Sequence, residues 1–343
     1  MRSVLILLMG MAAFQAASGQ QVGFGGPVEG FTFDLPTASL RAVVGYPGAA
    51  SFGPAVLTGL EFGSAAPQKN YAVAFQSGNF LLATALDSAT VSTVSVPGVT
   101  RLPEAVAWST DGSFAVLYSR SGNWIQTLSG LPSSPAAGSD IELAPLGGAL
   151  AAVAVDATGK QVAIAMSGAG SGLYLMTASQ GFAPVLQLAN PVALSFSSDG
   201  TQLFAIDSAT KELAVLNLSS LNFQMTSLTG LADPFAVQSG ASQRIYIASR
   251  ADRLLRELNL ATGQAATDLG LSFAPTGIQQ FGPNSFVVAS RAEPGDPLWL
   301  VTNGTQPAAY FVPAIPQVIG RGRSVEHDSS TPVSPSLTSG ERR

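Results

Sequence analysis

The stretch "VALSFSSDGTQLFAIDSATKELAVLNL", Val192 to Leu218, holds three apolar runs. An Asp-Gly pair separates the first two, and a polar Ser-Ala-Thr-Lys-Glu patch separates the second from the third. Short apolar runs bounded by turn residues read as strands, and Asp-Gly between paired strands supplies the positive φ of a tight hairpin. The same plan recurs along the chain. It is present at Leu60–Leu86, Glu104–Leu128, Ala151–Thr177, Pro234–Leu260 and Pro275–Val301. The second strands begin near Tyr71, Phe114, Val162, Leu203, Ile245 and Phe286, at spacings of 43, 48, 41, 42 and 41 residues. The long spacing absorbs the insertion "GLPSSPAAGSD", Gly130 to Asp140.

A repeat of roughly 40 residues with four short strands is the length of a propeller blade. One four-stranded sheet cannot bury two apolar faces alone, whereas sheets set radially cover each other's faces and leave only short edges exposed. The second runs, "QLFAI", "RIYIA" and "SFVVA", are apolar on both sides, as a strand between two neighbouring blades must be. The fold class is therefore all-β, a propeller of four-stranded antiparallel blades. Six units are complete. Glu29–Tyr46 reads as the last two strands of a further blade, to which "AIPQVIG", Ala314 to Gly320, adds one strand. Seven blades follow, with six as the alternative.

Residues 1–19 have one early positive charge at Arg2, an apolar run and then small residues, the pattern of a cleaved export signal. The propeller is assigned to 20–319. Residues 320–343 are polar and rich in Ser and Pro, a composition expected to be disordered. The expected location is periplasmic or extracellular. The chain has no cysteine, so an exported domain must rest on its core rather than on disulfides. A net charge of −5 gives no reason to expect nucleic acid or an anionic membrane as partner. No later run is long enough to cross a bilayer, and a monomer is expected.

The turns "SSDG" (Ser197–Gly200) and "STDG" (Ser109–Gly112), each ahead of an apolar strand, resemble the Ser-Pro-Asp-Gly turns of bacterial propellers. Those families are the YVTN-type repeats, the C-terminal domain of TolB and the seven-bladed lactonases. The turn proline is absent here. The resemblance implies a seven-bladed ring and, from the lactonases, a calcium ion at the axis.

The single histidine, His327, lies in the polar tail. A Ser-His-Asp system or a histidine-ligated metal is thereby excluded from the body of the fold. Loops leading into first strands and loops joining second to third strands share one face, which surrounds the central funnel. Glu104, Asn190 and Asp233 precede first strands there and offer oxygen ligands for Ca²⁺; the simpler reading is that they cap loop amides. Ser-Arg recurs after second strands at Arg120, Arg250 and Arg291, and guanidinium groups suit a carboxylate or phosphate. Against that, Asp252 and Glu293 offer local ion pairs to Arg250 and Arg291. Asp207 is on the same face and starts its loop. The function expected is non-catalytic binding of a protein or small ligand at the funnel, without a cofactor. The alternative is a calcium-dependent, lactonase-like hydrolase.

Overall fold

The computed structural model describes residues 26–177, 181–240, 243–262, 264–282, 285–302 and 307–315. The expected signal (1–19) and polar tail (320–343, with His327) lie outside them. Among the described residues there are 27 strands in seven antiparallel sheets, two three-residue 3-10 turns and no α-helix. Among these residues no helix is long and apolar enough to cross a membrane. The chain is a seven-bladed β-propeller.

Blade 5 shows how the repeat unit folds. Its strands are Pro191–Phe196, Gln202–Asp207, Glu212–Asn217 and Phe223–Ser227, hydrogen-bonded in chain order. The Asp-Gly turn between the first two closes with Gly200 at φ 70°, the Gly200 amide donating to the Ser197 carbonyl. Asp199 accepts from the Ser197 and Thr201 hydroxyls and the Thr201 amide, so the turn is locked by its own side chains. Gly112 repeats this at φ 75°, with Asp111 bonded to Ser109 and Ser113. The second strand has Leu203, Phe204, Ala205 and Ile206 all at 0% exposure. "DRLLRELNL", despite its helical look, contains the third strand of blade 6, Leu254–Asn259.

Seven apolar clusters lie between the described sheets, one at each junction of neighbouring blades. Leu203, Ala205, Ala214 and Leu216 of blade 5 meet Ala163, Ala165 and Leu173 of blade 4. Phe204, Ile206 and Leu213 face the other way, onto Val237, Ile245 and Ile247 of blade 6. Alternate side chains of one strand thus belong to two different cores. The seventh cluster closes the circle. Val43 and Ala50 of the first sheet pack on Phe281, Val287, Leu298 and Tyr310 of the last.

The first sheet corrects the sequence reading. It has three described strands, Val28–Asp34, Ser39–Val44 and Ser51–Thr58. Their places in the blade are set by a loop device. Ala38, Asn123, Lys211 and Arg253 all have left-handed φ values, between 47° and 55°. Each carbonyl accepts the amide of a buried leucine that follows a fourth strand: Leu60 to Ala38, Leu143 to Asn123, Leu228 to Lys211 and Leu271 to Arg253, at 2.7–3.0 Å. In the last three cases that loop joins a second to a third strand. Ala38 therefore does the same, and Val28–Asp34 is a second strand. Glu29–Tyr46 contains the second and third strands of its blade, not the last two. The fourth, Ser51–Thr58, was not expected because Gly53 and Pro54 interrupt it. An outermost strand tolerates a proline, since no partner needs its missing N–H.

Candidate funnel face

The shared face follows from pairing alone. A first strand starts where its antiparallel second strand ends, so the loop into the blade meets the loop joining strands two and three. The Glu104 amide donates to the Tyr118 carbonyl, that of Ser208 to Asn190, and that of Arg250 to Asp233, each at 3.0 Å. Three blades strengthen this meeting with a carboxylate.

In blade 3, Glu104 stands in the incoming loop. It accepts the Ser119 hydroxyl at 2.9 Å, the Arg120 amide at 2.9 Å and the Ser121 amide at 3.1 Å, as well as the Ser121 hydroxyl. The Ser121 bond, with help from Ser119 and the two amides, holds its carboxyl below the usual value. In blade 5 the acid comes from the other side. Asp207, 1% exposed, ends the second strand and accepts the amides of Ala189 at 2.7 Å and Asn190 at 3.1 Å. It also accepts the Ala209 amide at 3.0 Å, which starts its own loop. Asn190 donates its side-chain amide to the Ser208 hydroxyl at 2.8 Å. In blade 6 the fastener is Asp252, which takes the Ala232 amide at 2.7 Å and the Ser249 hydroxyl.

The structure thus puts each expected ligand to work inside its own blade. Glu104 binds loop amides, Asn190 binds Ser208, and Asp233 forms an ion pair with Arg250 at 3.7 Å. Among the described residues no group of three His, Cys, Asp or Glu side chains is placed to hold a metal ion.

The arginines are also separated. Arg120 is exposed on blade 3, and its side chain has no ion pair among the described residues. Arg250, on blade 6, pairs with Asp233 rather than with Asp252 and stacks on Phe235 at 4.2 Å. Arg291 is buried, 4% exposed, and pairs with Asp34 of blade 1 at 2.8 Å rather than with Glu293. Its other nitrogens donate to the Asp296 and Pro294 carbonyls. Asp252 and Asp34 are the residues the sequence reading undervalued. A short acid two to three residues from a Ser-Arg pair was the visible signal for Asp252, and nothing local marked Asp34.

Comparison of the backbone with solved structures agrees with the ring. A histidine-to-alanine, catalytically inactive virginiamycin B lyase from Staphylococcus aureus superposes with TM-score 0.53 at 13% identity, over 72% of this chain and 82% of the lyase. The β-propeller domain of Cps50 (Swd1) from Myceliophteria thermophila gives 0.55 at 8% identity, over 74% and 86%. A chain of the mitotic checkpoint complex gives 0.54 at 13% identity, over 92% and 90%. No family model matches the sequence, and no curated protein is significantly similar to it. At such identities the likeness is one of fold.

The propeller's funnel face also carries an open depression of about 510 Å³ between blades 5 and 6. Lys211, Leu228, Thr229, Ala232 and the fastener Asp252 line it. Leu35 and Leu102 stand exposed in loops of the same face, 56% and 48% accessible.

Proposed function

We propose that this chain is an exported, non-catalytic binding module that recognises a partner protein through its funnel-face loops. One observation carries the reading: Glu104, Asp207 and Asp252 use their oxygens to tie loop to loop within a blade. Loops fixed in this way lose little freedom on association, which lowers the entropic cost of binding. What they present outward is a mixture of Arg120, Arg250 upon Phe235, Lys211, Leu35 and Leu102, the charged-and-apolar blend of a protein-binding surface. Propellers among the neighbours include a chain of the mitotic checkpoint complex, a multiprotein assembly.

Two catalytic readings fit less well. The lyase neighbour is inactive when a histidine is replaced, and the single histidine of this chain is His327, far beyond the last blade in sequence. A calcium-dependent hydrolase would need carboxylate oxygens aimed at the axis, whereas Glu104 is engaged by two hydroxyls and two amides. Export rests on the pattern of residues 1–19.

Site-specific photo-crosslinking in an extract of the envelope tests the reading. Probes at Arg120 and Arg250 should capture one protein that probes at Lys69 and Asp199, on the opposite face, do not. The double charge reversal Arg120→Glu/Arg250→Glu should abolish its capture. Equal capture from both faces would remove the proposal.

A further inference from the structure

The open depression between blades 5 and 6 brings two loops and two opposite charges together. One wall carries Lys211, from the loop joining the second and third strands of blade 5. The other carries Asp252, from the same loop of blade 6. Between them runs the turn Leu228–Leu231, which leads from blade 5 into blade 6. It closes with the Leu231 amide on the Leu228 carbonyl at 3.1 Å. A volume of about 510 Å³ lies within the usual range of small-molecule clefts.

Both charges are fixed through backbone, and neither cancels the other. Lys211 is held at φ 55°, and its carbonyl accepts the Leu228 amide at 2.9 Å. Asp252 is tied by the Ala232 amide at 2.7 Å and the Ser249 hydroxyl, with a further bond from the Asp233 amide. A carboxylate offers about four acceptor positions, so one stays open. None of the ion pairs among the described residues includes Lys211. Arg256, the neighbouring cation, is occupied. It donates to both oxygens of Asp268 at 2.7 Å and to the Thr229 carbonyl at 2.6 Å.

We infer that this depression binds a small zwitterion with a free ammonium and a free carboxylate, an unblocked amino acid or short peptide. The ligand carboxylate pairs with Lys211 and its ammonium with Asp252. The signs of the two charges select this class. A simple anion would meet Lys211 together with the fixed negative charge of Asp252, and a simple cation would meet the reverse. A zwitterion satisfies both at once. Thr210, Ser227 and Thr229 border the same hollow and supply hydroxyls for the atoms in between. Both walls are pinned before the ligand arrives, so little freedom is lost on binding. The hollow is open to water, which keeps the contribution of each ion pair modest.

Titration of the full chain with glycine, diglycine, triglycine and tetraglycine, followed by amide NMR shifts, tests this. One member of the series should bind saturably, with shifts confined to 210–211, 227–232 and 252. Its length separates a free amino acid from a short peptide. Acetylating its amine or amidating its carboxylate should each weaken binding about fivefold. Lys211→Met should weaken the unblocked ligand by a similar factor and leave the amidated one unchanged. Asp252→Asn, which keeps an acceptor for the Ala232 amide, should weaken the unblocked ligand and leave the acetylated one unchanged. Absence of saturable binding along the whole series overturns the inference. Equal binding of blocked and unblocked forms does so too, as does equal loss of both in Lys211→Met. These outcomes are independent of partner capture at Arg120 and Arg250.

Discussion

Arg291 and Asp34 are 257 positions apart in the chain, yet their side chains meet at 2.8 Å in a buried ion pair. The pair spans the seam between the last blade and the first. Asp34 also accepts the Thr37 hydroxyl and lies 3.5 Å from Arg41, so the charge is balanced from both sheets. Removing Asp34 leaves the buried Arg291 guanidinium without a counter-charge, whereas Asp34 keeps Arg41 when Arg291 is removed. Asp34→Leu is expected to cost about 3–5 kcal/mol in denaturant unfolding, and an apolar replacement of both residues to recover a large part of that loss. Equal instability of the single and double replacements would show that the seam is not held by this pair.

Asp207 gives a second prediction, about local order. Asp207→Ala leaves the amides of Ala189, Asn190 and Ala209 without their acceptor. The expected loss is about 2–3 kcal/mol. Amide hydrogen exchange should speed up at 189–190 and 209 while the second strand of blade 4 keeps its protection. Uniform acceleration over all blades would contradict a fastener acting within one blade.

Acid should loosen the funnel face. The Ser121 hydroxyl bond holds the Glu104 carboxyl below its usual value of 4.5, and the Ser249 hydroxyl bond lowers Asp252 from 3.8. A carboxylate depressed by folding stabilises the native state above its unfolded pKa, and that stabilisation is lost as pH falls through the lower folded value. Melting temperature is therefore expected to fall as pH drops below about 4.5, and Glu104→Gln to show a shallower fall. An unchanged acid slope in Glu104→Gln would refute its part in it.

Tyr71 links blades 2 and 3 twice, through the apolar cluster between them and through a turn. Its hydroxyl donates to the Gly112 carbonyl at 2.5 Å, and burial together with Asp111 pushes its pKa up to about 12. Tyr71→Phe should cost about 1 kcal/mol. Gly112→Ala should cost more, because φ is 75° and a Cβ there would lie 2.7 Å from the Tyr71 oxygen. A neutral Gly112→Ala would mean that the turn relaxes away from Tyr71.

The strand pattern was legible in the sequence because burial on both sides leaves an unmistakable apolar run. The observed second strands start at Tyr71, Ala115, Gln161, Gln202, Arg244 and Ser285, each within one residue of the positions read from the repeat. The rank of Val28–Asp34 in its blade was not legible. Two paired strands show the same alternation whether they are second and third or third and fourth; the strand Ser51–Thr58 on the far edge of Ser39–Val44, together with the contact from Leu60 to Ala38, distinguishes them. The funnel residues were found as residue types at the right loops, but their partners were not. Glu104 and Asp207 look alike as ligands or as amide acceptors until the opposing loop is in place. Arg291 has an acid two residues away and binds another one from the far end of the chain.

Glu104, Asp207 and Asp252 of the funnel face are bound by their own loops. Thermal unfolding with and without calcium tests this most directly. A specific site at 100 times its dissociation constant would add about 2.7 kcal/mol. Millimolar calcium is expected to leave the melting temperature unchanged, and Asp207→Ala to lower it with no calcium present. A calcium-dependent rise that Asp233→Ala abolishes would contradict it and restore the hydrolase.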